Sequence, residues 1–157
     1  MLWLVRHATV ELRLDRPAST WELSEEGRAD AEALARRLAP VARVVSSPEP
    51  KAVATADPLA RLSGVGVELD EGLREVKRAA NAPTYEAHRE AVRRYLDGED
   101  VDGWEPRDRA LTRFHAALDG IDDAAVVTHG TVLALFLGYG FGQWNRIALP
   151  DAIEWRR

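Results

Sequence analysis

Apolar and polar positions fall into blocks whose period changes along the chain. Leu2-Trp3-Leu4-Val5 is a continuous apolar run, closed at once by Arg6-His7. Four apolar residues bounded by charge predict a buried strand. The polar stretch 9–21 predicts a loop over the carboxyl edge of that strand. Ser24 followed by Glu25 and Glu26 predicts a helix start, with a hydroxyl to cap it and acid for the positive end of its dipole. Ala31, Leu34, Ala35 and Leu38 then recur at helical spacing, and Pro40 stops the run. Residues 41–45 predict a second strand, ending in Ser46-Ser47-Pro48. The next helix starts at Pro50, is expected to kink or restart at Pro58, and closes at Gly64. Val65, Val67 and Leu69 alternate as a third strand.

The second half continues in the same alternation. A helix is predicted over 83–96, with Tyr85, His88, Val92 and Leu96 along one side. An acidic loop follows over 98–103. Pro106 suits the first position of another helix, whose apolar face is Leu111, Phe114, His115 and Leu118. A fourth strand is predicted over 124–128 and a helix over 130–137. A glycine-rich tail runs to Gly142, and a last strand over 147–155 is assigned to a sheet edge because Pro150 interrupts it. Alternating strands and helices predict an α/β fold with a mostly parallel sheet. The reading is a single domain over 1–157, with 76–122 as a helical cap over one sheet edge.

Composition narrows the function classes. The 157 residues are 46% hydrophobic and 30% charged, as in an ordinary globular chain. The absence of cysteine excludes disulfides and thiol catalysis. A formal net charge of −5 argues against nucleic acid as a partner. No apolar run reaches the length of a membrane span. Arg6 breaks the first apolar run too early for a signal peptide, so a cytoplasmic location is expected.

The chemistry concentrates where strands end. His7 follows the first strand and His129 the fourth. In a parallel sheet both ends lie on the edge where open α/β sheets bind ligands, so the two imidazoles converge. Arg6 adds a guanidinium suited to bidentate recognition of an oxyanion. Gly130 allows a tight turn into a helix whose first N–H groups favour an anion. Lys51 lies one turn into a helix facing the same edge, and Glu75 on a connecting segment can donate or accept a proton. One role set fits. A neutral imidazole attacks a phosphoryl group, Arg6, Lys51, His129 and Gly130 hold its oxygens, and Glu75 protonates the leaving alcohol. The set calls for no metal and no cofactor. The partner expected is a small phosphorylated metabolite, with a homodimer through an edge strand or through 138–144 left open.

The structural readings of the same residues are plain. Strand ends can simply be polar, and Lys51 can be a solvated helix residue. His88 and His115 read as partly buried histidines with satisfied hydrogen bonds. Glu105 with Arg113 reads as an ion pair tying the cap down. Trp21 and Trp104 could line the pocket mouth, and Arg13 and Arg16 could meet a charged substrate.

Five pieces in order carry a family likeness: Leu4-Val5-Arg6-His7-Ala8, Leu23-Ser24-Glu25-Glu26-Gly27, the run from Ser46-Ser47-Pro48 through Lys51 to Thr55-Ala56, Leu73-Arg74-Glu75, and Val127-Thr128-His129-Gly130. With them the chain resembles the histidine phosphatase superfamily, also called phosphoglycerate mutase-like. The resemblance implies a three-layer α/β/α sandwich. It implies His7 as the phosphorylated nucleophile, Arg6 and His129 in the phosphate pocket, and Glu75 as the acid/base. The chain departs from the family pattern at Lys51, where the family has arginine, and at Ala8, where it has glycine. The segment from Arg13 also lacks the family's pocket asparagine. Its short length favours a phosphomonoester hydrolase over a mutase. A weakly active or non-catalytic phosphate-binding member and a protein phosphohistidine phosphatase are the other readings.

Overall fold

The computed structural model describes residues 1–156. Strand β1 (Leu2–Arg6) is followed by α1 (Glu25–Leu38), β2 (Arg43–Ser46), α2 (Pro50–Ser63) and β3 (Val67–Leu69). Then come α3 (Tyr85–Leu96), α4 (Arg107–Leu118), β4 (Ala124–Thr128), α5 (Gly130–Phe136), α6 (Phe141–Trp144) and β5 (Asp151–Trp155). The sheet order is β3-β2-β4-β1-β5. The first four strands in sequence run parallel, and β5 pairs antiparallel with β1 at the edge.

The period of two sends alternate residues to opposite faces. Leu4, Val45 and Val126 are in register and face one side, where they pack with Ala110, Phe114 and Leu118 of α4 and Val132 and Leu133 of α5. Val5, Val44, Ala125 and Val127 face the other side, against Leu34 and Ala35 of α1 and Ala52, Ala56 and Leu59 of α2. The result is a three-layer α/β/α sandwich with β4 at its centre. All five β4 residues are buried, as a parallel strand covered on both faces requires. Within 76–122, α4 packs on the sheet-facing core, while α3 sets Val92 against Ala134, Trp144 and Ile147. Among the described residues no helix is long and apolar enough to cross a membrane.

Several element boundaries differ from expectation. Helix α2 runs unbroken through Pro58, which is itself buried. The packing of Ala52, Ala56, Leu59 and Ala60 on the sheet outweighs the missing N–H and the crowding at Pro58. Pro106 is the N-cap of α4 rather than its first residue. Strand β2 begins at Arg43, not residue 41, and β5 begins only after Pro150. The glycine-rich tail contains α6, whose four residues are too few to show a period. His115 is exposed rather than partly buried; its ring packs on Phe136 at 5.0 Å.

Candidate active site

Three parallel strands deliver their last residues to one edge. The hydrogen-bond ladder continues one residue past them: His7 N–H donates to the Thr128 carbonyl (3.0 Å), and Ser47 N–H donates to the Val127 carbonyl (2.9 Å). Residues 7, 47 and 129 are therefore held side by side by backbone alone. The His7 and His129 rings lie 5.2 Å apart between centroids.

His7 is buried, and its Nδ1 lies 2.7 Å from the Ala8 carbonyl oxygen. A carbonyl can only accept, so this contact keeps the ring proton on Nδ1 and leaves Nε2 with a lone pair. Burial first, then the charges of Lys51 and Arg6, depress the His7 pKa to about 3, against opposition from the Ala8 contact. The ring is neutral at neutral pH. The following turn is fixed by Thr55, whose hydroxyl accepts from Ala8 N–H (3.0 Å) and donates to the Lys51 carbonyl (2.8 Å).

His129 has no exposed surface and stands behind His7. Its Nε2 is 2.7 Å from Ser47 Oγ and 3.6 Å from a Glu49 oxygen. Burial and then the neighbouring His7 and Lys51 hold its pKa well below the ordinary histidine value. Arg6 donates from Nη1 to the Ile147 carbonyl (2.6 Å) and stacks toward Trp144. A Cβ on Gly130 would meet Arg6 Nε at 2.7 Å, so only glycine lets the guanidinium lie against the start of α5.

Glu75 is placed by contacts on both sides. Thr128 Oγ1 donates to the Leu73 carbonyl (2.8 Å), and the Arg113 guanidinium donates to the carbonyls of Gly72 (2.7 Å), Arg74 (2.7 Å) and Glu75 (3.1 Å). Arg113 also pairs with Glu105 at 2.8 Å, so this ion pair ties the Glu75 segment to α4. The Glu75 carboxylate accepts from the N–H groups of Val76 (2.9 Å), Thr131 (3.0 Å) and Val132 (2.8 Å). The first N–H groups of α5, read above as free for an anion, are thus taken by a carboxylate of the chain itself. Burial raises the Glu75 pKa. The Arg78 charge and the three N–H donors outweigh it, and the net shift is downward.

Lys51 is buried, unlike a solvated helix lysine. Its Nζ lies 3.0 Å from Glu49 Oε2 and donates to the Ala18 carbonyl (2.6 Å), holding the loop that crosses the site. Glu49 is itself 3% exposed, and its other oxygen accepts from Glu75 N–H (3.3 Å).

Arg6, His7, Lys51, Glu75 and Gly130 all line one cleft of about 690 Å³; His129, expected to hold the phosphate with them, has no exposed surface and is not among the residues that line it. Trp21, Arg16 and His88 also reach the cleft, whereas Trp104 lies under Arg78, 4.7 Å from its guanidinium. Ser47 and Glu49 lie in the run that carries the family likeness but had no role assigned there, and Arg78 was not named. Arg78 lies three residues after Glu75 and 3.7 Å from its carboxylate. The one available signal was an acid two residues before Lys51 in an otherwise apolar helix start. Among the described residues no group of three His, Asp or Glu side chains could hold a metal ion.

The sequence profile of the histidine phosphatase superfamily (branch 1) matches residues 2–152, and the chain belongs to that family. No curated protein matches it significantly. Among solved structures, TTHB049 of Thermus thermophilus is 27% identical, covering 99% of this chain and 94% of its own, with a TM-score of 0.71. A mycobacterial glucosyl-3-phosphoglycerate phosphatase in complex with inorganic phosphate is 26% identical, covering 91% of this chain and 81% of its own, with a TM-score of 0.69. YhfR of Bacillus stearothermophilus, at 23% identity and a TM-score of 0.69 over 87% of this chain and 77% of its own, shares the fold.

Proposed function

We propose that this chain hydrolyses phosphomonoesters through a phosphohistidine on His7. The observation that carries the reading is the state of His7: a buried, neutral imidazole with its proton kept on Nδ1 by the Ala8 carbonyl. Nε2 attacks phosphorus, the N–P bond forms, and the P–O bond to the alcohol breaks. Arg6 and Lys51 balance charge on the phosphoryl oxygens, and His129 backs the nucleophile. The leaving alkoxide needs a proton. Glu75 is a carboxylate in the resting site, so it supplies that proton only after taking one up with substrate, as when the ester arrives as its monoanion. In the second step water attacks phosphorus, its proton passes to Glu75, and the N–P bond breaks to release phosphate. These steps draw on no metal or cofactor. The phosphatase named among the structural relatives supports this class of reaction.

The test is turnover of a phosphomonoester panel, with chelator present, by the wild-type protein and His7→Ala. The reading expects turnover in the first and background in the second; equal rates would end it. One observation favours a second reading, a phosphate-binding member with little turnover: Lys51 already holds Glu49 and the Ala18 carbonyl. Lys51→Arg separates the two. A large gain in rate marks the native site as compromised, and a loss marks lysine as the working cation. The panel also holds 3-phosphoglycerate and a phosphohistidine-bearing protein, which report mutase and phosphoprotein activity.

A further inference from the structure

The cleft extends well beyond His7, and what lines its mouth bears on the substrate. Its volume of about 690 Å³ falls in the range of roughly 300–1,000 Å³ that takes whole small-molecule ligands, not a phosphoryl group alone. Seven large apolar side chains are exposed among the described residues, and four of them, Leu12, Leu14, Tyr85 and Leu149, line this one cleft. Val10 and Trp21 join them there. Exposed apolar residues scattered singly need no explanation, but their gathering around the entrance to one site marks a binding surface.

The cations of the cleft point the same way. Lys51 is paired with Glu49 at 3.0 Å, Arg78 lies 3.7 Å from Glu75, Arg74 pairs with Glu71, and Arg6 donates to the Ile147 carbonyl. Before any ligand enters, each of these four cations already faces a carboxylate or a carbonyl of the chain. Arg16 and Lys77 also reach the cleft but are solvent-exposed, where ion pairs contribute little.

We propose that the mouth is the subsite for the alcohol part of the ester, and that this part is bulky, apolar and uncharged. A ring-bearing alcohol fits; a phosphorylated hydroxy acid does not. The proposal rests on the phosphatase reading and names the substrate class of that same site. The alcohol packs on Leu12, Leu14 and Tyr85 while its phosphate meets His7, so the binding advantage scales with apolar area removed from water.

The experiment compares 2-phenylethyl phosphate, ethyl phosphate and 3-phosphoglycerate, all alkyl esters with similar leaving groups. The wild-type protein is expected to favour the phenylethyl over the ethyl ester by about tenfold or more in kcat/KM, mainly through KM. In Leu12→Ser/Leu14→Ser, exposed positions where the fold loses little, that ratio should fall toward one. Calorimetric binding of 3-phenylpropylphosphonate against propylphosphonate gives the same comparison without turnover. Failure of the phosphatase reading with a sound subsite therefore shows as binding preference without hydrolysis. Equal ratios in the two proteins, a preference for 3-phosphoglycerate, or activity on a phosphoprotein alone would each overturn the proposal.

Discussion

At the scale of single residues, the pocket holds its own anion. The Glu49 carboxylate is buried 3.0 Å from the Lys51 ammonium and 3.6 Å from His129 Nε2. A phosphate entering beside Lys51 must share that cation with a fixed negative charge. Glu49→Gln keeps the shape and the oxygen that accepts from Glu75 N–H while removing the charge. Inorganic phosphate should then bind about tenfold tighter or better by calorimetry, the equivalent of about 1.4 kcal/mol; unchanged or weaker binding would mean that Glu49 serves only to place Lys51. The histidines give a second prediction. The native pKa of His7 is about 3 and that of His88 about 4, both depressed chiefly by burial, and His129 is depressed as well. As pH falls below 6.5 the unfolded chain binds protons that the native state refuses. Stability is therefore intact above about pH 6.5 and is lost as pH drops toward the native values, at about 1.4 kcal/mol per pH unit for each such proton. Melting temperature measured from pH 7 to pH 4 should fall, and His7→Gln should flatten the slope. The strand-end histidines and Arg6 were legible in the sequence because apolar runs point straight at them. Glu49 and Arg78 were not, because their meaning lies in cross-chain neighbours that no spacing reports.

At the scale of elements, the beginning of α5 organises the site. Thr131 and Val132 donate their N–H groups to Glu75, and Gly130 gives up its side-chain volume to Arg6. Gly130→Ala places a methyl group against the guanidinium, the mobile end of a long side chain, so Arg6 swings away while the fold survives. KM should rise at least about tenfold while Tm changes by only a few degrees; an unchanged KM would remove Arg6 from phosphate binding. The anion attracted by this helix start proved to be a carboxylate of the chain. Sequence offered the helix and its glycine, but the position of Glu75 over it depends on Arg113, thirty-eight residues away in the chain. Elements with a clear period, such as β1, α1 and β4, were read to within a residue or two. Helix α6 is a single turn, and α2 passes through Pro58 because tertiary packing outweighs a local preference.

At the scale of the whole molecule, one topological fact makes the site possible. Strands β2, β4 and β1 are adjacent and parallel, so residues 47, 129 and 7, far apart in sequence, finish on one edge. The alternation of strands and helices made that class of fold legible, as period-two and helical-period segments follow each other for most of the chain. The layer to which α4 belongs was not legible. Its apolar face, Ala110, Phe114 and Leu118, fits a sheet and a cap equally well until its neighbours are known. The same holds for the loop residues Leu12 and Leu14, whose exposure has meaning only beside the cleft they line. The proposed reaction requires a covalent phosphoryl group at His7. The direct measurement is to mix the protein with excess phosphomonoester, quench in base, where phosphohistidine survives, and locate the phosphoryl group by peptide mass mapping. Phosphate is expected on His7 in the wild-type protein and none in His7→Ala; a phosphoryl group on another residue, or unaltered turnover in His7→Ala, would rule out His7 as the nucleophile.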